Sequence, residues 1–221
     1  MTSTRLEWTS TSIPFAQNRF LHVLIILFIV FFGFMAIFPT NRGIWFADSL
    51  PLVVVILTLA ITYKWFHFTN LSYFLMFVFF CLHTYAAHYT YQGTPFDHWL
   101  KTTFHTKRGY YDRVVHFAFG LFCAFPFREI LKYKVKLTGI WLYVLTLNVV
   151  LSCSALFEIL EMLAALAAGP GGEAKFVGLQ GDIFDTHKDM ALAFLGGVIS
   201  MGILAWIIWR SGQKADKAAA Y

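Results

Sequence analysis

Residues 190–209 read MALAFLGGVISMGILAWIIW, twenty positions without a charge, bracketed by Asp189 and Arg210. A helix needs about 20 apolar residues to cross a hydrocarbon core roughly 30 Å thick, so this stretch alone predicts a membrane span. Working outward, five more segments are written the same way: Phe20–Phe38, Ile44–Tyr63, Leu71–Ala87, Val114–Ile130 and Gly139–Ala168. The expected architecture is all-α, a polytopic membrane helix bundle of about six spans, forming one integral membrane domain over residues 1–221. Val114–Ile130 is short and holds Pro126 and Arg128, which predicts a kink or a seat partly in the interface. Phe20–Phe38 is long and is followed by Phe38-Pro39-Thr40, with no small-residue cleavage site, so it reads as a retained span and not a signal peptide.

Composition agrees. The chain is 58% hydrophobic and only 13% charged, against about 25% charged for a soluble domain. That excludes an ordinary soluble enzyme, a disordered chain and a disulfide mini-protein. The net charge of +5 does not mark a nucleic-acid interface, because the basic residues flank apolar segments and form no continuous patch. Six spans divide the 17 Lys and Arg residues ten to seven, with Arg128, Lys132, Lys134 and Lys136 dense in one short connection. The positive-inside rule then places both termini in the cytoplasm. Cys81, Cys123 and Cys153 lie in apolar stretches at irregular spacing and read as small buried hydrophobes.

The acids and histidines are far less evenly spread. In this topology six of the eight histidines and nine of the twelve acids fall in or beside the outer half. Asp112 and His116 are four apart at the start of the fourth span and share a helix face. Glu158 and Glu161 are three apart on the fifth, with Ser154 four before Glu158. Asp185 and Asp189 are four apart at the entry to the sixth. Three helices thus bring polar pairs to one depth. Each ionisable group inside a bilayer costs roughly 2.5–3.5 kcal/mol, so such a cluster persists only when paired, hydrated or bound to a cation. Asp112, His116, Glu158, Glu161, Asp185 and Asp189 are therefore candidate ligands for a divalent metal: zinc, manganese or iron. Asp112, His116, Glu158 and Asp185 are the candidate catalytic groups.

Simpler roles stand beside these. Asp112 and Asp189 open helices and fit N-caps. Glu158 and Glu161 fit ion pairs with Arg108 or Arg113 that fix packing. His88 and His98 fit an interfacial aromatic belt, and Ser154 fits a hydroxyl bonded to its own helix backbone. Phe96, Trp99, Leu100 and Phe104 form one face of a short helix expected to lie on the outer leaflet. Gly169-Pro170-Gly171-Gly172 ends the fifth helix. The turn around Gly178–Asp182 is expected to place Gln180 and Asp182 at the mouth of the site as substrate contacts, with Arg108 and Arg113. Ala193, Gly196, Gly197 and Ser200 form a small-residue stripe expected to pack within the bundle.

The ordered string His88-Tyr89-Thr90-Tyr91, Pro95, Trp99-Leu100, Arg108, Tyr111-Asp112-Arg113-x-x-His116-Phe117, Arg128-Glu129, Glu158-x-x-Glu161 and Gly178-x-Gln180-Gly181-Asp182-x-x-Asp185-x-x-x-Asp189-Met190 resembles the YjdF-like inner-membrane proteins, a group of unknown function. Gly109 stands where that pattern has Asn, and Phe184 where it has Trp. Asp112, His116, Glu158 and Asp185 also give a more distant likeness to the VanZ-like membrane proteins. The resemblance implies a bacterial inner-membrane protein with an outward-facing polar site.

Three functions fit. The first is a metal-dependent enzyme acting on a lipid head group or a lipid-linked envelope intermediate. The second is a small transporter or proton-coupled permease. The third is a non-catalytic membrane binding or assembly protein whose charges are paired.

Overall fold

The computed structural model describes residues 13–172 and 182–219. Their helices, in order, are α1 (Arg19–Met35), α2 (Arg42–Thr62), α3 (Asn70–His88), α4 (Pro95–Phe104), α5 (Tyr111–Tyr133), α6 (Gly139–Ala167) and α7 (Asp185–Ala219), and no strand occurs among the described residues. The protein is a polytopic helical membrane bundle. Helices α2, α3, α5, α6 and α7 are each long and apolar enough to cross a bilayer; α1, at 17 residues, sits at the lower limit of the useful range.

Polar caps set where the first four helices begin. The side chains of Asn18, Asn41, Thr69 and Thr94 accept from the N–H groups of Leu21, Ile44, Ser72 and Asp97. Each satisfies a donor that the first turn leaves unpaired. At the far end of α6, Ala168 closes the helix and Gly169 follows at φ +72°, a left-handed position that suits glycine. The expected stop at 169–172 is therefore present.

Helix α5 is the centre of the bundle, packing on α3, α6 and α7. Half of its apolar window is buried, against 17% for α2 and 22% for α6 and α7. The others turn large apolar side chains such as Phe46, Leu57, Leu166 and Ile203 outward, as lipid requires. The tightest contact joins α5 to α7. A Cβ on Gly120 would overlap the backbone carbonyl of Ala193, and one on Gly196 would overlap that of Phe117. The stripe expected to pack inside the bundle does so along Ala193 and Gly196. Helices hold each other in lipid mainly through such close backbone approach.

Two expectations change. The span expected at 114–130 is one unbroken helix from Tyr111 to Tyr133, with Pro126 inside it. It lies at the centre of the bundle, where neighbouring helices support it. The last helix begins at Asp185, five residues before the apolar run, because its first turn is held by the ion pairs described next. Cys123 is buried and Cys81 and Cys153 are half-buried, all as free thiols.

Candidate functional site

The site is assembled at the Tyr111 end of α5 from three helices and two loops. Its first part is an ion-pair lattice. Arg108 Nη2 lies 2.6 Å from Asp185 Oδ1, and Arg108 Nη1 lies 3.3 Å from Asp182 Oδ2. Arg113 Nη2 donates to Asp182 Oδ2 at 2.7 Å and to Asp185 Oδ1 at 2.9 Å, and its Nε is 3.9 Å from Asp189 Oδ1. Lys188 Nζ adds a contact of 2.6 Å to Asp182. These hydrogen bonds, Lys188 and Arg113 first, hold the Asp182 carboxyl well below the usual carboxylate range. Asp185 is 1% exposed. The lattice ties the start of α7 to the start of α5, which explains why α7 begins where it does.

The second part lies one helical turn deeper, and among the described residues no Lys or Arg is ion-paired to its carboxylates, although Arg108 and Arg113 act on Asp112 through space. His116 Nε2 is 3.5 Å from Asp112 Oδ1 and 3.3 Å from Glu158 Oε1. Neither contact is an aligned hydrogen bond, and both carboxylate oxygens are buried with no hydrogen-bond partner among the described residues, while the Glu158 carboxyl also bonds Thr186. Glu161 stands close by: one oxygen of it, one of Asp112 and one His116 nitrogen lie within 4.8 Å of one another. Asp48 of α2 is within electrostatic reach of both Asp112 and Glu161. On the other side of the ring, His116 Nδ1 is 3.3 Å from Ser154 Oγ. Asp112, Asp185 and Asp189 form another such three-ligand group, but Arg108 and Arg113 already neutralise it.

The spacing has a chemical meaning. Ligands of a tetrahedral ion at about 2.0–2.2 Å from the metal are separated by roughly 3.3–3.6 Å. The two contacts of His116 fall in that interval. A Ser154 hydroxyl that accepts from Nδ1–H leaves the Nε2 lone pair facing the carboxylates, the orientation that a metal-ligating histidine needs.

Several local roles are settled by the geometry. Asp112 is not an N-cap: Tyr110 occupies that position and makes no side-chain cap. Glu158 and Glu161 pair with neither arginine among the described residues. Ser154 faces His116 and not its own helix backbone. Arg108 and Arg113, expected to meet an anionic head group, are held here by three aspartates. Gln180 lies outside the described residues. His83 is fully used, its Nε2 donating to the Asp48 carbonyl at 2.9 Å and its Nδ1 accepting from Tyr91 Oη, and His88 Nδ1 donates to the Met35 carbonyl at 2.7 Å. Two acids of the outer set, to which the sequence assigns no role, also belong here. Asp48 is one. The other is Asp97, 1% exposed, whose Oδ1 accepts from the N–H groups of Tyr110 and Tyr111 at 2.6 and 3.0 Å. It pins α4 to the start of α5. The Thr94-Pro95-x-Asp97 spacing carried the signal, because Thr94 caps α4 and also donates to Asp97 at 2.9 Å. The Asp97 carboxyl lies about where a Cβ on residue 109 would contact it at 2.9–3.0 Å, which accounts for Gly109.

Fold and site together define a multi-pass membrane protein with a polar centre buried at one end of its helices. Residues 20–210 match the model of the family described as "Predicted membrane protein (DUF2238)", and the chain belongs to that family. It is similar to the inner membrane protein YjdF of Escherichia coli (strain K12), with 33% identity over 162 residues, 73% of this chain and 77% of that protein. This bears out the YjdF-like resemblance. No solved structure matches.

Proposed function

We propose that the protein is a metal-dependent enzyme of the bacterial inner membrane, with one divalent cation held by Asp112, His116, Glu158 and Glu161. The reading places both termini in the cytoplasm and the centre on the outer side, where a lipid head group or a lipid-linked envelope intermediate is the substrate. One observation carries it: a His116 nitrogen and one oxygen each of Asp112 and Glu161 lie within 4.8 Å of one another, with Glu158 Oε1 a further 3.3 Å contact of His116 Nε2. Ion pairing accounts for Asp182, Asp185 and Asp189, and Arg108 and Arg113 also act on Asp112, but among the described residues no Lys or Arg is ion-paired to Glu158 or Glu161, and a cation supplies that counter-charge. One nitrogen and several carboxylate oxygens suit zinc, manganese or iron. Such an ion polarises a phosphoryl or carbonyl oxygen and lowers the pKa of bound water. Because Arg108 and Arg113 are engaged elsewhere, the anionic group of the substrate is recognised by the metal itself. Helix α4, with Trp99 51% and Phe104 61% exposed, offers an apolar surface beside the centre for the lipid.

The transporter reading is less favoured. Mid-helix polar groups of α6 bond their own backbone, Thr146 to the Leu142 carbonyl at 2.6 Å and Asn148 to the Val144 carbonyl at 2.9 Å, and so do not line a path. The test is metal content by mass spectrometry of protein purified in mild detergent, beside the Asp112→Ala, His116→Ala double variant. Near-stoichiometric zinc, manganese or iron in the wild type, lost in the variant, is expected, followed by turnover of lipid-linked phosphates or esters. Metal-free protein from supplemented medium would overturn the proposal and return the charges to a structural or proton-relay role.

A further inference from the structure

The other end of the bundle holds a buried arginine that makes no ion pair among the described residues. Arg128, near the C-terminal end of α5, is 9% exposed, and its Nε is buried with no hydrogen-bond partner. Among the described residues no carboxylate lies within ion-pair distance of it, although the charge of Glu129 is within electrostatic reach. Its neighbour Glu129 is spent on α3, accepting from the Thr69 N–H at 3.1 Å and from Ser72 Oγ at 2.8 Å. What Arg128 does touch is an aromatic face: its guanidinium carbon sits 5.4 Å from the ring centroid of Tyr143 on α6. Tyr143 in turn lines an open groove of about 440 Å³ between α6 and α7, walled by Ile140, Met201, Gly202, Ala205 and Trp209. The buried guanidinium and the apolar groove meet at Tyr143, which the one stacks on and the other is lined by.

The surroundings place this end at head-group level. Lys64, Lys132 and Arg210 each stack on an aromatic ring, those of Trp65, Tyr133 and Trp206, at 4.1, 4.9 and 4.8 Å. Aromatic rings and cations gather where a bilayer meets water. Those three cations are near the surface, while Arg128 is turned inward beneath Tyr143. An unpaired buried cation is costly unless an anion reaches it. A phosphate oxygen matches a guanidinium fork.

We propose that Arg128 and the α6–α7 groove bind an anionic phospholipid, the phosphate on the guanidinium and one acyl chain in the groove. The site is more than 15 residues along α5 from Asp112, at the opposite end of that helix, and does not depend on the metal reading.

The test is lipid retention and thermal stability of the full chain in mild detergent, with phosphatidylglycerol, phosphatidylcholine or inorganic phosphate added back to delipidated protein. Phosphatidylglycerol should bind at least tenfold more tightly than phosphatidylcholine and raise Tm, while inorganic phosphate alone does neither. Arg128→Gln should abolish that preference. Gly202→Leu fills the groove at a position where an added Cβ meets nothing within 4 Å, so it folds normally and should weaken phosphatidylglycerol tenfold with Arg128 intact. Equal binding of the two lipids by wild type overturns the proposal even if Arg128→Gln does not fold. So does unaltered binding in Gly202→Leu, or full stabilisation by inorganic phosphate, which would mark an anion site without a lipid.

Discussion

Glu161→Gln separates a cation centre from a structural cluster because the two give opposite signs. The amide keeps the shape and removes one charge. The Glu161 and Asp112 ligand oxygens lie within 4.8 Å. Two unit charges at that separation and an effective dielectric of about 20 repel by about 3.5 kcal/mol. Whatever part of this the empty centre does not already relieve by taking up a proton is removed by the amide. In chelator, Glu161→Gln therefore raises Tm by several degrees, up to about 3.5 kcal/mol of stability. With the metal bound, the same change deletes a ligand charge. A loss of similar size weakens affinity by a few hundredfold, since about 1.4 kcal/mol is tenfold. In saturating manganese or zinc the variant therefore melts below wild type, which gains stability from the bound ion. The assay is a thermal melt in detergent of both proteins, with chelator and with metal. A shift of one sign in both conditions, or a wild-type Tm indifferent to metal, refutes the reasoning.

Ser154→Ala leaves every proposed ligand in place but frees the His116 ring, so metal affinity should fall by about 10–100-fold with little change in chelator, measured by competition titration. Gly120→Ala pushes a methyl into the Ala193 carbonyl and should cost at least about 1–3 kcal/mol, whereas Gly33→Ala, with nothing within 4 Å, should keep or raise Tm. Asp97→Ala strands the N–H groups of Tyr110 and Tyr111 and should cost about 2–5 kcal/mol, with faster hydrogen exchange at those two amides. Asp182 is depressed in the folded protein, so its contribution is fully present above the ordinary carboxylate range near pH 4 and is lost as pH falls below it. The melting difference between wild type and Asp182→Asn should accordingly be constant from pH 5 to 8 and shrink only in stronger acid.

Periodicity and length were enough for the membrane reading. An uncharged run such as 190–209 admits one stable state in lipid, a helix, because every backbone donor must be satisfied within the segment. The Gly169 stop, the Ala193–Gly196 stripe and the Thr94 start of α4 were legible for similarly local reasons, as each depends on a few neighbouring residues. Asp112 with His116, and Glu158 with Glu161, were legible as pairs because helix geometry places residues three or four apart on one face.

What pairs could not say was which helix each would meet. Asp185 and Asp189 have the same spacing as Asp112 and His116, yet Arg108 and Arg113 claim the first pair and leave the second facing Glu158. Asp48 and Asp97 looked like isolated acids until α2 and α4 were laid against α5. Arg128 and Glu129 are adjacent in the chain, and consecutive helical residues point about 100° apart, so one is buried on α3 and the other under Tyr143. The class of protein, the helices and the inventory of charges are readable along the chain, since they follow from local periodicity and from the cost of polar groups in hydrocarbon. Which charges neutralise one another and which are left over emerges once the helices pack, because Coulomb energy depends on distances between helices that no spacing along one chain encodes.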